Sequence, residues 1–188
     1  MILDSHWTTA TDKIFIKKIY DQIGVYFRNK NNARILDVGV EDYNFDCDKF
    51  IKNKNIKYWQ LEPNRVCENN DGFFNCVVQD CLEKYPGNEN KFDLILDFGV
   101  FGWNGIKFSQ IEQEKYINVI LKLLKPHGLY ILHGDRVEQD DEYKINVDKF
   151  ITPNFTAVKI MGFNKHEIIS CPRWGTIWDI RFLQKNEI

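Results

Sequence analysis

Apolar positions recur along this chain in two rhythms, one helical and one continuous, and the switches between them mark its elements. Ile16, Ile19, Tyr20, Ile23 and Phe27 follow each other at helical spacing behind Thr9-x-x-Asp12, which has the spacing of a capping box. A first helix is predicted there, ending at the polar loop 29–32. Short apolar runs then predict strands over 33–39, 56–62, 73–80, 92–97 and 128–134, with Pro63 closing the second. Each run is continuous enough to be buried on both faces, the mark of a parallel sheet. Residues 45–53 read as a short helix. The clearest helix lies between strands four and five, where Ser109-x-x-Glu112 forms a capping box and Ile117, Ile120, Leu121 and Leu124 line one face. Pro126 and Gly128 stop it. Residues 156–163 and 176–185 read as two further strands joined directly, and so paired antiparallel.

This order predicts a single α/β domain over 1–188, with an N-terminal helical segment (1–30) and a core (33–185). The length of 188 residues suits one well-buried domain. The fold class is a three-layer Rossmann-like sandwich: a mostly parallel seven-stranded sheet with an antiparallel C-terminal pair. The formal net charge of -2 provides no bulk attraction for nucleic acid or anionic lipid, so neither is predicted as a partner. No apolar run is long enough to span a bilayer, and residues 1–7 contain Asp4 and His6 without an apolar leader core, which predicts a cytosolic protein. Cys47, Cys67, Cys76, Cys81 and Cys171 make an odd set with no C-x-x-C pair. They read as reduced, mostly buried small hydrophobes rather than a disulfide framework or a zinc site.

The chemistry is concentrated at strand ends. Arg34-Ile35-Leu36-Asp37-Val38-Gly39 is an aliphatic strand stopping at an acid and a glycine, and Leu61-Glu62-Pro63 puts a second acid at the end of the next strand. Acids at the carboxyl ends of an open α/β sheet point to a nucleoside-containing cofactor. In order and spacing, four segments resemble class I S-adenosylmethionine-dependent methyltransferases: Ile35 to Gly39 (the first motif), Leu61-Glu62-Pro63 (the acidic end of strand two), Val78-Gln79-Asp80 (the adenine-side acid) and Leu123 to Gly128 (the turn into strand five). The resemblance covers nearly the whole chain.

It implies S-adenosylmethionine as cofactor and direct in-line methyl transfer to a small-molecule acceptor. Glu62 would take the ribose hydroxyls, one on each carboxylate oxygen. Asp80 would accept from the adenine amine while the backbone of Cys81 or Leu82 reads a ring nitrogen. Asp37 and Gly39 would position the methionine end, the glycine by permitting close backbone approach. Asp97 and the following carbonyls would meet the methionine ammonium, with Phe98, Phe101 and Trp103 offering aromatic faces to a cation. His133 and Asp135, at the end of strand five, are the candidate proton acceptors. His133 reads equally as a structural histidine. Arg173 and Trp174, between the last two strands, are candidates for engaging an anion and a ring of the acceptor, in a segment that also reads as an ordinary turn. His6 and Trp7 are placed to fold over the cofactor.

One feature bears against simple membership. Gly39 is followed by Val40-Glu41-Asp42-Tyr43 instead of further glycines, bringing bulk and negative charge to where a carboxylate should approach. A non-catalytic methyltransferase-like binding module is therefore the alternative. The missing G-x-G-x-x-G argues against a nicotinamide enzyme. Asp97-Phe98-Gly99-Val100 also stands where an Asp/Asn-Pro-Pro-Tyr motif would mark the amino-methyltransferases of DNA and of glutamine side chains, or a Pro-Cys nucleophile the cytosine-C5 type.

Overall fold

The computed structural model describes residues 10–39, 56–63, 72–98, 100–101, 108–137, 147–171 and 176–187. Helix α1 (Ala10–Tyr26) leads into β1 (Ala33–Val38), β2 (Ile56–Leu61) and a two-residue β3 (Phe73–Phe74). A 3-10 turn (Val78–Asp80) and a single-turn α2 (Cys81–Lys84) precede β4 (Phe92–Phe98), α3 (Gln110–Leu123) and β5 (Leu124–Val137). A π-type turn (Val147–Ile151), β6 (Phe155–Ala157), β7 (His166–Cys171) and β8 (Thr176–Lys185) complete the chain. The sheet runs β3-β2-β1-β4-β5-β8-β6, with β7 also on β8. Pairings from β3 to β5 are parallel, and those on β8 are antiparallel.

Both faces of the sheet are covered, which is why its inner strands are mostly apolar. On one face, Ile19, Tyr20 and Ile23 of α1, with Phe27 just after it, pack over Ile35, Leu94, Leu96 and Ile131. On the other, Tyr116, Ile117 and Ile120 of α3 pack over Leu36, Val38, Ile95 and Leu132. The capping box of α3 is formed: Ser109 Oγ accepts from Glu112 N, and the Glu112 carboxylate accepts from Ser109 N at 2.7 Å. At the far end, Lys185 Nζ donates to the carbonyls of Leu121 and Leu124, ending the helix on a cation.

Three expectations are corrected. Strand three is two residues long, because Val78 and Cys81 are buried three apart and so turn helically toward α3 while Asn75 and Val77 face solvent. The run 156–163 is not one strand. Beyond Ala157 the chain leaves the sheet, turns at Met161 and Gly162, both at positive φ, and returns as β7, which sequence reasoning missed. Phe182 closes the gap, accepting from Val158 N at 2.9 Å and donating to Lys165 O at 3.1 Å. The excursion keeps Met161 and Phe163 buried, Phe163 stacked on Phe182 at 4.8 Å, so its composition imitated a strand. The outer strand is thus split in two, and the sheet has eight strands among the described residues. Finally, β5 runs on past the end of β4: Gly134 to Val137 pair with Asp179 to Thr176. This makes a β5–β8–β7 wing that rises about 13 Å beyond the last β4 pair. The expected helix over 45–53 lies outside the described residues.

Candidate functional site

The carboxyl ends of the parallel strands form one line. Val38 pairs with Leu61 on one side and Asp97 on the other, Asp97 pairs with Leu132, and Leu132 with Arg181. Gly39 N donates to Leu61 O at 3.0 Å and Glu62 N to Phe74 O at 3.1 Å, so Gly39 and Glu62 leave the sheet side by side. Strand order reverses between β1 and β4, and the wing stands on the β5 side. The line therefore lies at a topological switch point, flanked on the β5 side by the wing.

Gly39 has φ +74, a left-handed conformation, and a Cβ there would lie 2.2 Å from Val100 Cγ2. The residue must be glycine both for its backbone and for the packing of the loop after β4 above it.

Asp37 and Asp97 are buried at 2 % and 0 % exposure, on opposite faces of the sheet, and each is held by two tyrosines. Tyr20 of α1 and Tyr58 of β2 both donate to Asp37 Oδ2. Burial drives the Asp37 carboxyl up to about 7; the two tyrosine hydrogen bonds oppose that rise, and the negative charge of Asp97 adds to it. Asp97 Oδ2 accepts from Tyr116 and Tyr130 hydroxyls, each at 2.6 Å, and its Oδ1 accepts from Val100 N at 3.1 Å and Phe101 N at 3.2 Å. Burial raises it to about 6 against those four bonds. Asp97 thus ties the loop after β4 to α3 and β5. A tyrosine on the core face of a helix needs a polar partner, so Tyr20 and Tyr116 carried the signal that could have exposed both arrangements.

The remaining sequence candidates are placed as follows. Glu62 is partly buried at the tip of β2. Asp80 lies in the 3-10 turn, its Oδ1 3.2 Å from Lys115 Nζ of α3. Cys81 is buried, and its N–H donates to Val78 O. Phe98 is 9 % exposed, its ring 6.2 Å from Tyr20 and 6.3 Å from His133. His133 is buried, and desolvation lowers its pKa to about 3, so the imidazole is neutral at pH 7. Phe101 packs in the core against Tyr116. The Asp135 backbone lies in the wing opposite Trp178. The Asp135 side chain, Trp103, Arg173, Trp174, His6, Trp7 and the loop 40–43 lie outside the description. A cluster that sequence reasoning missed sits at the base of the wing. Asp179, buried opposite Gly134, takes His166 Nε2 at 2.8 Å and Arg181 Nε at 3.0 Å.

No family model and no curated protein sequence matches this chain. Solved structures do. The N-methyltransferase NodS of Bradyrhizobium japonicum, in complex with S-adenosylhomocysteine, superposes with a TM-score of 0.69 over 99 % of this chain and 94 % of its own, at 13 % identity. The chain has the class I methyltransferase fold. The 1,6-didemethyltoxoflavin N1-methyltransferase of Burkholderia thailandensis shares that fold at a TM-score of 0.59 and 14 % identity, over 94 % of this chain and 83 % of its own. So does the [4+2]-cyclase SpnF, at 0.63 and 12 %, over 97 % and 84 %. A cyclase on the methyltransferase fold means that the architecture alone does not fix the reaction, which has to be argued from the site. No helix among the described residues is long and apolar enough to cross a membrane.

Proposed function

We propose that this protein is an S-adenosylmethionine-dependent methyltransferase acting on a small-molecule acceptor. The observation that carries the reading is the pairing of Gly39 and Glu62 at the switch point, a left-handed glycine and a carboxylate ending adjacent parallel strands. The donor set fits the cofactor. Glu62 takes the ribose hydroxyls. Asp80 accepts from the adenine amine, and since the Cys81 N–H is spent on Val78, the ring nitrogen falls to Leu82 N. Gly39 borders the methionine end. Asp37 and Asp97 work by position: Asp37 fixes α1 and β2 to the strand that precedes Gly39, and Asp97 sets the start of the loop whose carbonyls would meet the methionine ammonium. Phe98 supplies an aromatic wall beside it.

When bound, the cofactor supplies a methyl group already activated on a sulfonium. What is left to the chain is alignment and exclusion of water. Asp135, Arg173, Trp174 and Trp103 are the residues proposed to contact the acceptor. His133, with Asp135, is the proton-accepting pair. An imidazole held at a pKa of about 3 is a weak base, which suits a nucleophile that is already neutral and lone-pair bearing, such as an amine or ring nitrogen. NodS and the 1,6-didemethyltoxoflavin enzyme bear N-methyltransferase names, which supports that choice. The reading also places the protein in the cytosol. Incubation with S-adenosylmethionine carrying a labelled methyl group and a panel of small amines tests it. Transfer of label that is lost in Glu62→Ala is expected; no transfer to any amine, hydroxyl or carbon acceptor would overturn it.

A further inference from the structure

Three strands form the edges of the sheet among the described residues, and they are unequal. β3 has two residues and β6 three, which offer little backbone to a further strand. β7 has six, and it pairs with β8 on one side only. An edge of that length normally carries a proline, a lysine or a bulge that keeps other strands away. His166-Glu167-Ile168-Ile169-Ser170-Cys171 contains neither proline nor lysine, its register with β8 is unbroken, and Ile168 near its middle is 60 % exposed. We propose that this edge is a self-association surface, on which β7 of a second copy of this chain pairs antiparallel across a two-fold axis at Ile168.

The backbone selects that register. Phe182 N donates to Lys165 O at 3.1 Å, so the backbone of Phe182 faces the β7 side of β8. Bonded pairs recur at every second residue of an antiparallel ladder, here Ile180 with Glu167 and Trp178 with Ile169. The N–H and C=O groups of His166, Ile168 and Ser170 therefore point away from β8, and β7 pairs with no other strand among the described residues. A two-fold axis at Ile168 sets these three residues against themselves. His166 meets Ser170 of the second copy, Ile168 meets its own counterpart, and Ser170 meets His166. The result is three bonded pairs, about six hydrogen bonds, with no outward group of the three left over. Neighbouring registers are worse. An axis at Glu167 sets two glutamates directly opposite, a like-charge pair, and an axis at Ile169 sets His166 against Pro172, which has no N–H to give.

The side chains agree with this pairing. The His166 imidazole is drawn back onto β8 by its 2.8 Å contact with Asp179, so it does not lie across the edge. At the axis the two copies of Ile168 cover one another and leave water. A formal net charge of -2 gives only weak repulsion between two copies. The wing is also supported: beyond the last β4 pair it consists of β5, β8 and β7, and pairing across the edge doubles those strands. None of this depends on which cofactor or acceptor is bound.

Sedimentation equilibrium of the purified full chain, from about 5 µM to about 500 µM, tests the proposal. One short ladder makes a small interface, so a reversible dimer with a Kd on the order of 50 µM is expected. Ile168→Pro removes an outward N–H and leaves the bonds from β7 to β8 in place, while Ile168→Lys sets two ammonium groups opposite each other. Each should weaken dimerisation at least about tenfold, with urea unfolding to confirm that the variant is folded. If either fails to fold, Ile168→Cys decides. Side chains directly opposite in such a ladder stand about 5 Å apart at Cβ, so a short bismaleimide should join two copies, and peptide masses should map the link to position 168 in both. A monomer across the whole range would overturn the proposal and leave the edge to a strand of another protein. A dimer that persists equally in both variants, or a crosslink that does not form at position 168, would overturn it in favour of a different surface.

Discussion

Gly39 lies directly beneath Val100: a Cβ on the glycine would stand 2.2 Å from the valine Cγ2, at a backbone φ of +74. Two separate costs follow from adding that carbon, one from the left-handed backbone and one from the clash. Gly39→Ala is expected to destabilise the protein by about 2–4 kcal/mol, read from urea unfolding. The terms separate in a Val100→Ala background, where the same substitution should cost only the backbone share, about 1 kcal/mol. An equal cost in both backgrounds would show that the clash is relieved elsewhere.

Asp97 gives a second expectation. Tyr116 and Tyr130 reach the same carboxylate oxygen from a helix and a strand, at 2.6 Å each. Phenylalanine at either position removes one hydroxyl from a fully buried acid and should cost about 1–3 kcal/mol. The two changes share a partner, so the double variant should depart from additivity by at least about 0.5 kcal/mol. Additive effects near zero would mean that the tyrosines are held by packing alone.

The pH dependence of stability has two opposing parts. Asp37 and Asp97 are raised by burial to about 7 and about 6 from 3.8, so between these limits the folded state keeps protons that the unfolded chain has lost. Their contribution is full below pH 3.8 and is lost as pH rises through 6 to 7, a slope of up to about 1.4 kcal/mol per pH unit for each. His133 is lowered by burial to about 3 from 6.5, and its contribution runs the other way: present above 6.5, lost as pH falls toward 3. Two acids outweigh one histidine, so wild-type stability should rise on acidification from pH 7.5 to 4.5. Asp37→Asn should flatten that rise and His133→Asn should steepen it, both measured by denaturant unfolding across the range. A profile unaffected by either change would contradict the burial of both groups.

Much of this was legible because period and burial agree. The parallel strands were readable since both faces are covered and most of their residues are apolar. The helix α3 announced its own start, as Ser109 and Glu112 satisfy each other with no help from elsewhere. What failed was where tertiary contacts set the local form. Val78 and Cys81 are apolar in either a strand or a helical turn, and only their packing against α3 selects the turn. Met161 and Phe163 are buried from a loop, by contact with β8, so they counted as strand residues. At the site, Asp37, Gly39, Glu62 and Asp97 were findable because they end apolar runs. Of the tyrosine partners of Asp37 and Asp97, Tyr58 and Tyr130 were not, because they come from strands whose neighbours only the sheet order supplies. The same holds for His166 and Asp179, which meet only because β7 pairs with β8.

The central claim is a nucleoside-binding line formed by Gly39, Glu62 and the Asp80 turn, and calorimetric titration tests it most directly. S-adenosylmethionine and S-adenosylhomocysteine are titrated into wild type and into Glu62→Ala, with unfolding curves confirming that the variant is folded. Glu62 is partly buried at a strand end, outside the two apolar clusters, so its removal should leave the fold intact. Binding of both ligands to wild type, weakened at least about tenfold in the variant, is the result this account expects. No binding to the folded wild type, or equal binding to both proteins, would contradict it.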